Sequence, residues 1–167
     1  MVKSKPLIIV LSVIIIGSLL FFFLFLNEER QVRKRFKAFA KAASRRAEDS
    51  QLIVAGKSKK ISTFFAHTCM IKSDEYNVSR NYSPKDIRTI AFQALTRHSE
   101  LKLKFIDLHV ETPEKGMADA VSTVRIKGKL KGKEAYTEEY HEIKCGLEKI
   151  NDEWFFIKVE LVDVLRK

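Results

Sequence analysis

The chain has 167 residues, 31 Lys and Arg against 21 Asp and Glu, a formal charge of +10 and two cysteines. Its length suits one domain with a real core. Two cysteines and the scattered His67, His98, His109 and His141 exclude a finger-type zinc framework, and no glycine-rich phosphate loop or nucleophile elbow appears.

After a tail of residues 1–6, Leu7–Leu26 reads LIIVLSVIIIGSLLFFFLFL without a charge. At about 1.5 Å per residue such a helix reaches roughly 30 Å, the thickness of bilayer hydrocarbon, so the run predicts a transmembrane anchor. A cleaved signal peptide is the competing reading. Its apolar core is usually shorter and ends in small residues, whereas Phe21-Phe22-Phe23-Leu24-Phe25-Leu26 leads straight into charge. No cysteine follows to invite lipoprotein processing.

Asn27–Arg46 is basic: Arg30, Arg33, Lys34, Arg35, Lys37 and Lys41, with Arg45 and Arg46 beyond them, outnumber Glu28 and Glu29. Val32, Phe36, Phe39 and Ala43 recur at four- and three-residue steps, the period of a helix with a narrow apolar stripe. Its basic faces suit solvent or, beside an anchor, anionic lipid head groups. Nucleic acid is not an expected partner, because no exposed aromatics interleave with the cations.

A second helix is expected from about Ser50 to Ala66, burying Val54, Ile61, Phe64 and Phe65. Thr68–Ile71 reads as a short strand and Lys72–Tyr82 as a loop. The third helix has the clearest start: Ser83 as N-cap, Pro84 at the first helical position and Asp86 three residues on, a near match to a capping box. Ile87, Ile90, Ala91, Ala94 and Leu95 form its stripe, which is expected to lie on the concave face of a sheet.

Leu101–Val164 alternates apolar and polar residues, the period of strands with one face on a core. Ala118, Ala120, Val124 and Ile126 share one face, and Ile143, Cys145 and Leu147 share another. Turns as brief as Asn151-Asp152 make the sheet an antiparallel meander. Between Leu101 and Val110 the apolar set shifts from odd to even positions at Phe105-Ile106, which predicts a bulge and a bend. In Glu153–Val162, Trp154 and Phe156 are taken as the buried face, packed against Ile87, Ile90 and Ala94. Phe155, Ile157, Val159 and Leu161 are the more evenly apolar set.

Helix, helix, short strand, helix and a curved meander whose last strand opens Glu153-Trp154-Phe155-Phe156 resembles the nuclear-transport-factor-2-like superfamily, which includes SnoaL-like cyclases and ketosteroid isomerases. Gln31-Val32-Arg33-Lys34-Arg35-Phe36, beginning the first helix directly after the anchor, resembles the membrane-anchored bacterial members. The resemblance implies an α+β cone over residues 27–167, three helices on a curved antiparallel sheet with a pocket between. It implies no single activity, since the superfamily hosts enzymes, binders and assembly modules.

For catalysis the pocket candidates are Glu139 and His141, on the strand face of Ile143 and Cys145, and His109 or Asp107 on the bent strand. Glu139 and His141 are expected at the wet end of their strand. Trp154, Phe156, Phe64 and Phe65 are expected to line the pocket. No metal or cofactor is expected, and Cys69 and Cys145 are read as free buried thiols, with a disulfide between them as the alternative. The function expected is a membrane-anchored binding or scaffold domain without chemistry, with a protein partner or a second copy possible. The alternatives are an isomerase or cyclase, and a subunit of an envelope or secretion assembly. A positive-inside count favours a cytoplasmic domain, whereas the short basic tail and the long folded domain favour an inner-membrane anchor with the domain outside; the latter is preferred.

Overall fold

The computed structural model describes Ile14 and residues 27–164 of the chain, so the anchor expected over 7–26 lies outside the described residues. Among the described residues no helix is long and apolar enough to cross a membrane. Among the described residues three helices accompany a six-stranded curved sheet of order β2-β1-β6-β5-β4-β3.

Helix α1 is described over 27–43. Its stripe turns inward: Val32 is 0% exposed and Phe36 1%, with Ala43 buried and Phe39 packed on the core. Helix α2 spans Gln51–Ser62, and the Ser50 side chain accepts the Ile53 N–H at its start. It stops short of the expected Ala66. Phe65 opens strand β1 (Phe65–Ser73), and the Phe64 carbonyl accepts the Phe156 N–H at 2.9 Å, so sheet pairing takes over from the helix. Residues 72–82 are likewise not a plain loop. A turn with Asn77 at φ 50° leads into β2 (Val78–Tyr82), which pairs antiparallel with β1.

Helix α3 (Pro84–Arg97) begins with the full capping box, Ser83 accepting the Asp86 N–H while the Asp86 carboxylate accepts the Ser83 N–H at 3.0 Å. Its expected seat on the sheet is corrected. It packs chiefly on α2, burying Ile87 and Leu95 while Ile90 and Ala94 stay exposed. The helix that lies on the sheet is α1. The end of α3 is closed by Arg45, whose buried guanidinium donates to the carbonyls of Leu95 (2.6 Å), Thr96 (3.5 Å) and His98, oxygens the helix itself leaves without partners.

Strands β3 (His98–Glu114), β4 (Met117–Leu130), β5 (Tyr136–Ile150) and β6 (Glu153–Val164) form the antiparallel meander. Positive φ at both Asn151 and Asp152 gives the β5–β6 connection the primed-turn twist that matches the strands. The sheet is not wholly antiparallel, because β1 joins β6 in parallel.

Two irregularities curve it. In β3 the register shifts between Ile106 and His109, with Asp107 at φ 52°, so Leu103 and Phe105 face in before the break and Val110 faces in after it. In β6 the register shifts opposite Gly146 and Leu147: Phe156 pairs with Leu147, while Val159 pairs with Cys145 and Leu161 with Ile143. The inner face therefore runs Trp154, Phe156, then Val159 and Leu161. That phase change is why both sets of alternate positions in this strand are apolar.

Candidate functional site

Three places combine functional groups with a defined geometry: the interior of the cone, the inner face of β5, and a groove beside the edge strand. The interior is aromatic. Phe36 meets Phe105 and Phe156 edge-on at 4.8 and 5.1 Å, and Phe39 lies 5.6 Å from Phe64, 5.8 Å from Phe65 and 5.6 Å from Phe156. Such edge contacts are the favoured packing of rings, and they join α1 to the sheet. Phe64, Phe65 and Phe156, expected to line a pocket, are thus core residues. Trp154 is buried beside them and donates its indole N–H to Gln31 of α1 at 3.2 Å. Its covering helix is α1, in place of the expected Ile87, Ile90 and Ala94 of α3.

On β5, His141 pairs in register with Val124 and Glu139 with Ile126, both on the inner face. His141 is not at a wet strand end: its side chain is 7% exposed, whereas that of Glu139 is 58% exposed. Their contact is 3.2 Å between His141 Nε2 and Glu139 Oε2, and His141 Nδ1 is buried without a hydrogen-bond partner among the described residues. A buried imidazole beside a half-wet carboxylate has the composition of an acid–base pair. Ser122, next on the inner face of β4, is buried too, but its hydroxyl donates to the Ile106 carbonyl at 2.8 Å. His109 is on the other side of the sheet, 70% exposed and 3.1 Å from Glu111, because the bulge reverses the facing of β3. Asp107 forms that bulge and is exposed.

The groove, of about 1020 Å³, lies where the end of α1 and the α1–α2 connection approach β3, β4 and the first residue of β5. Eight cations and three carboxylates line it. Several of the cations are committed. Lys57 pairs with Asp49, Arg46 lies 3.7 Å from Glu48, Arg125 bonds Glu138 at 2.8 Å, and Arg45 closes α3. Burial would raise the Asp49 pKa. The Lys57 hydrogen bond, the Arg46 N–H and both positive charges outweigh it and hold the carboxyl below the usual range. Lys41, Lys102, Lys104 and Lys127 make no ion pair among the described residues. Tyr136 stands at the rim, its hydroxyl donating to Glu100 at 3.0 Å and its ring 5.4 Å from the Lys127 ammonium.

The cations of α1 divide in two. Arg33 donates to the Leu108 carbonyl, and Arg35 donates to the Thr63 carbonyl at 2.8 Å with its guanidinium 4.5 Å over the Phe64 ring, so both serve the domain itself. Arg30, Lys34, Lys37 and Lys41 are exposed. The lysines of the groove were legible only as the outward positions of Leu101-Lys102-Leu103-Lys104. Nothing local tells that the end of α1 comes to the edge of β3 beside them. Cys69 and Cys145 are free and buried, and burial pushes both thiols up to about 12. Among the described residues no three potential metal ligands cluster.

No family profile and no curated protein sequence matches the chain. Solved structures do. A putative scytalone dehydratase from Novosphingobium aromaticivorans superposes with a TM-score of 0.70 at 11% identity, over 84% of this chain and 86% of that one. An NTF2-like protein with a cystatin-like fold from the same organism gives 0.66 at 11% identity, over 87% of each chain. The hexachlorocyclohexane dehydrochlorinase LinA-type3 from Novosphingobium barchaimii gives 0.64 at 10% identity, over 84% and 88%. The fold is the cystatin-like α+β cone of the NTF2-like proteins. Likeness at this level of identity carries architecture only.

Proposed function

We propose that the chain is a membrane-anchored NTF2-like binding domain, held by a helix over Leu7–Leu26 at the inner membrane with the domain outside the cytoplasm, and without chemistry of its own. The observation that carries this reading is the ring cluster of Phe36, Phe39, Phe64, Phe65, Phe105 and Phe156, which occupies the part of the cone where a substrate would sit. With that volume taken, recognition falls to the outside of the domain. Alkaline phosphatase fused after Lys167 tests the placement: activity is expected, and an inactive fusion in place of which a fluorescent protein lights up overturns it.

A second reading is favoured by one specific observation, the buried His141 with an unpaired Nδ1 beside Glu139. It is a pocket enzyme of dehydratase or isomerase type, the class to which the names of the dehydratase and dehydrochlorinase neighbours belong. Native mass spectrometry of the intact chain released from neutral detergent separates the two. The binding reading expects no small-molecule adduct in the cone. An adduct that is lost in His141→Asn, with the fold intact by circular dichroism, favours the enzyme.

A further inference from the structure

We infer that the exposed cations of α1 and the groove at its end form one continuous track for a linear polyanion of the inorganic polyphosphate type, carrying phosphates and no bases. The inference rests on reading this chain as a binding domain and names the class of its ligand.

Three observations carry it. The exposed residues Arg30, Lys34, Lys37 and Lys41 step by four, three and four, which puts them on one side of α1 over about 16 Å of helix. Lys41, the last of them, also lines the groove, so stripe and groove are contiguous. Inside the groove, strands β3 and β4 place Lys102 directly opposite Lys127 and Lys104 directly opposite Arg125. Like charges in directly opposed positions of a sheet repel, and the outer face of an edge strand offers many less costly residues. Of these four only Arg125 has a carboxylate partner among the described residues, Glu138. A ligand with closely spaced negative charges relieves that repulsion.

The shape of the track selects among anions. A stripe running on into a recessed groove exceeds the reach of a single phosphate, and a flat bilayer cannot follow it into the recess. Lysine dominates the unpaired cations, giving point charges on flexible stems in place of the fork that arginine uses for geometric recognition. That suits charge reading along a polymer. Among the described residues Tyr136 is the one aromatic ring at the groove, and its hydroxyl is bound to Glu100, so base stacking has no repeated platform there.

The test uses the full chain in phosphatidylcholine nanodiscs, with fluorescein-labelled inorganic polyphosphate followed by anisotropy. Binding is expected to weaken with salt at a log–log slope of about −5, from the seven cations of stripe and groove without an ion pair among the described residues at roughly 0.7 each, the single-strand value. Lys102→Glu with Lys104→Glu, both at exposed positions, should weaken binding tenfold or more with a melting temperature no lower than that of wild type, because each Glu then faces a cation across the sheet, while Arg88→Glu on α3 leaves binding unaltered. Absence of binding, or binding indifferent to the double substitution, overturns the proposal. So does displacement at equal total phosphate by free phosphate, by phosphatidylglycerol nanodiscs or by a dT oligonucleotide that binds more tightly than polyphosphate. If instead the double variant retains a defined partner that wild type holds, the polyanion falls while the binding reading stands.

Discussion

Phe36 is the residue on which the filled cone depends, and truncating it to alanine gives a prediction with a magnitude. The ring is 1% exposed and stands edge-on to both Phe105 and Phe156. Removing it returns on the order of 130 Å² of apolar surface, which is about 3 kcal/mol at about 25 cal/mol per Å². Two edge-to-face pairs at about 1 kcal/mol each bring the loss to about 5 kcal/mol, the upper end of the range for Phe→Ala in cores. A domain of this size has roughly 5–15 kcal/mol in all, so the variant is left marginal. At about 3 °C per kcal/mol the melting temperature should fall by roughly 15 °C. Trp154 is the single tryptophan and is buried near these rings, so its emission in the full chain in neutral detergent reports the transition without a label. Leu52→Ala, at a position 83% exposed, should stay within about 0.5 kcal/mol of wild type. A Phe36→Ala melting temperature within about 3 °C of wild type would show that the rings do not form a packed plug, and the case for a cone closed to substrate would fail with it.

Two further outcomes follow from the titratable groups. Asp49 has a folded pKa below its unfolded value, so its ionised form stabilises the fold above about pH 4, and that contribution disappears as pH falls through the folded value. Melting temperature measured from pH 7 to pH 3 should therefore fall further in wild type than in Asp49→Asn, the two curves converging at the acid end; parallel curves would remove Asp49 from the account. With thiol pKa values pushed up to about 12, Cys69 and Cys145 should both be silent to Ellman's reagent at pH 8 in the native chain and both react in guanidinium. Release of one equivalent before unfolding would contradict the burial.

Much of this fold was legible because its signals are local. The Ser83-Pro84-Asp86 start, the stripe Val32, Phe36, Phe39 and Ala43, and the alternation of β4 and β5 each follow from the geometry of a single element. The shift of apolar positions in β3 likewise betrayed its bulge. What failed was decided between elements. Phe64 and Phe65 suit a helix end as well as a strand start, and only β6, about ninety residues on, selects the strand. Ile90 and Ala94 keep helical spacing yet face solvent, because α1 already occupies the sheet. His141 shares the alternation of Ile143, Cys145 and Leu147, so its inward facing was legible; how far along the strand burial extends was not.

The division of labour within α1 ties these points together. Its inward residues 32, 36, 39 and 43 and its outward residues 30, 34, 37 and 41 keep the same four- and three-residue steps, offset by two positions. An offset of two is about 200° around a helix, so plug and basic stripe occupy opposite sides of one rod. A substitution on the outward side can therefore change ligand affinity without loosening the cone, and one on the inward side can loosen the cone without changing the charge of the track. With rings packed beneath this helix, its outer face and the groove cations at its end, Lys102 and Lys104, are the surface on which recognition can vary.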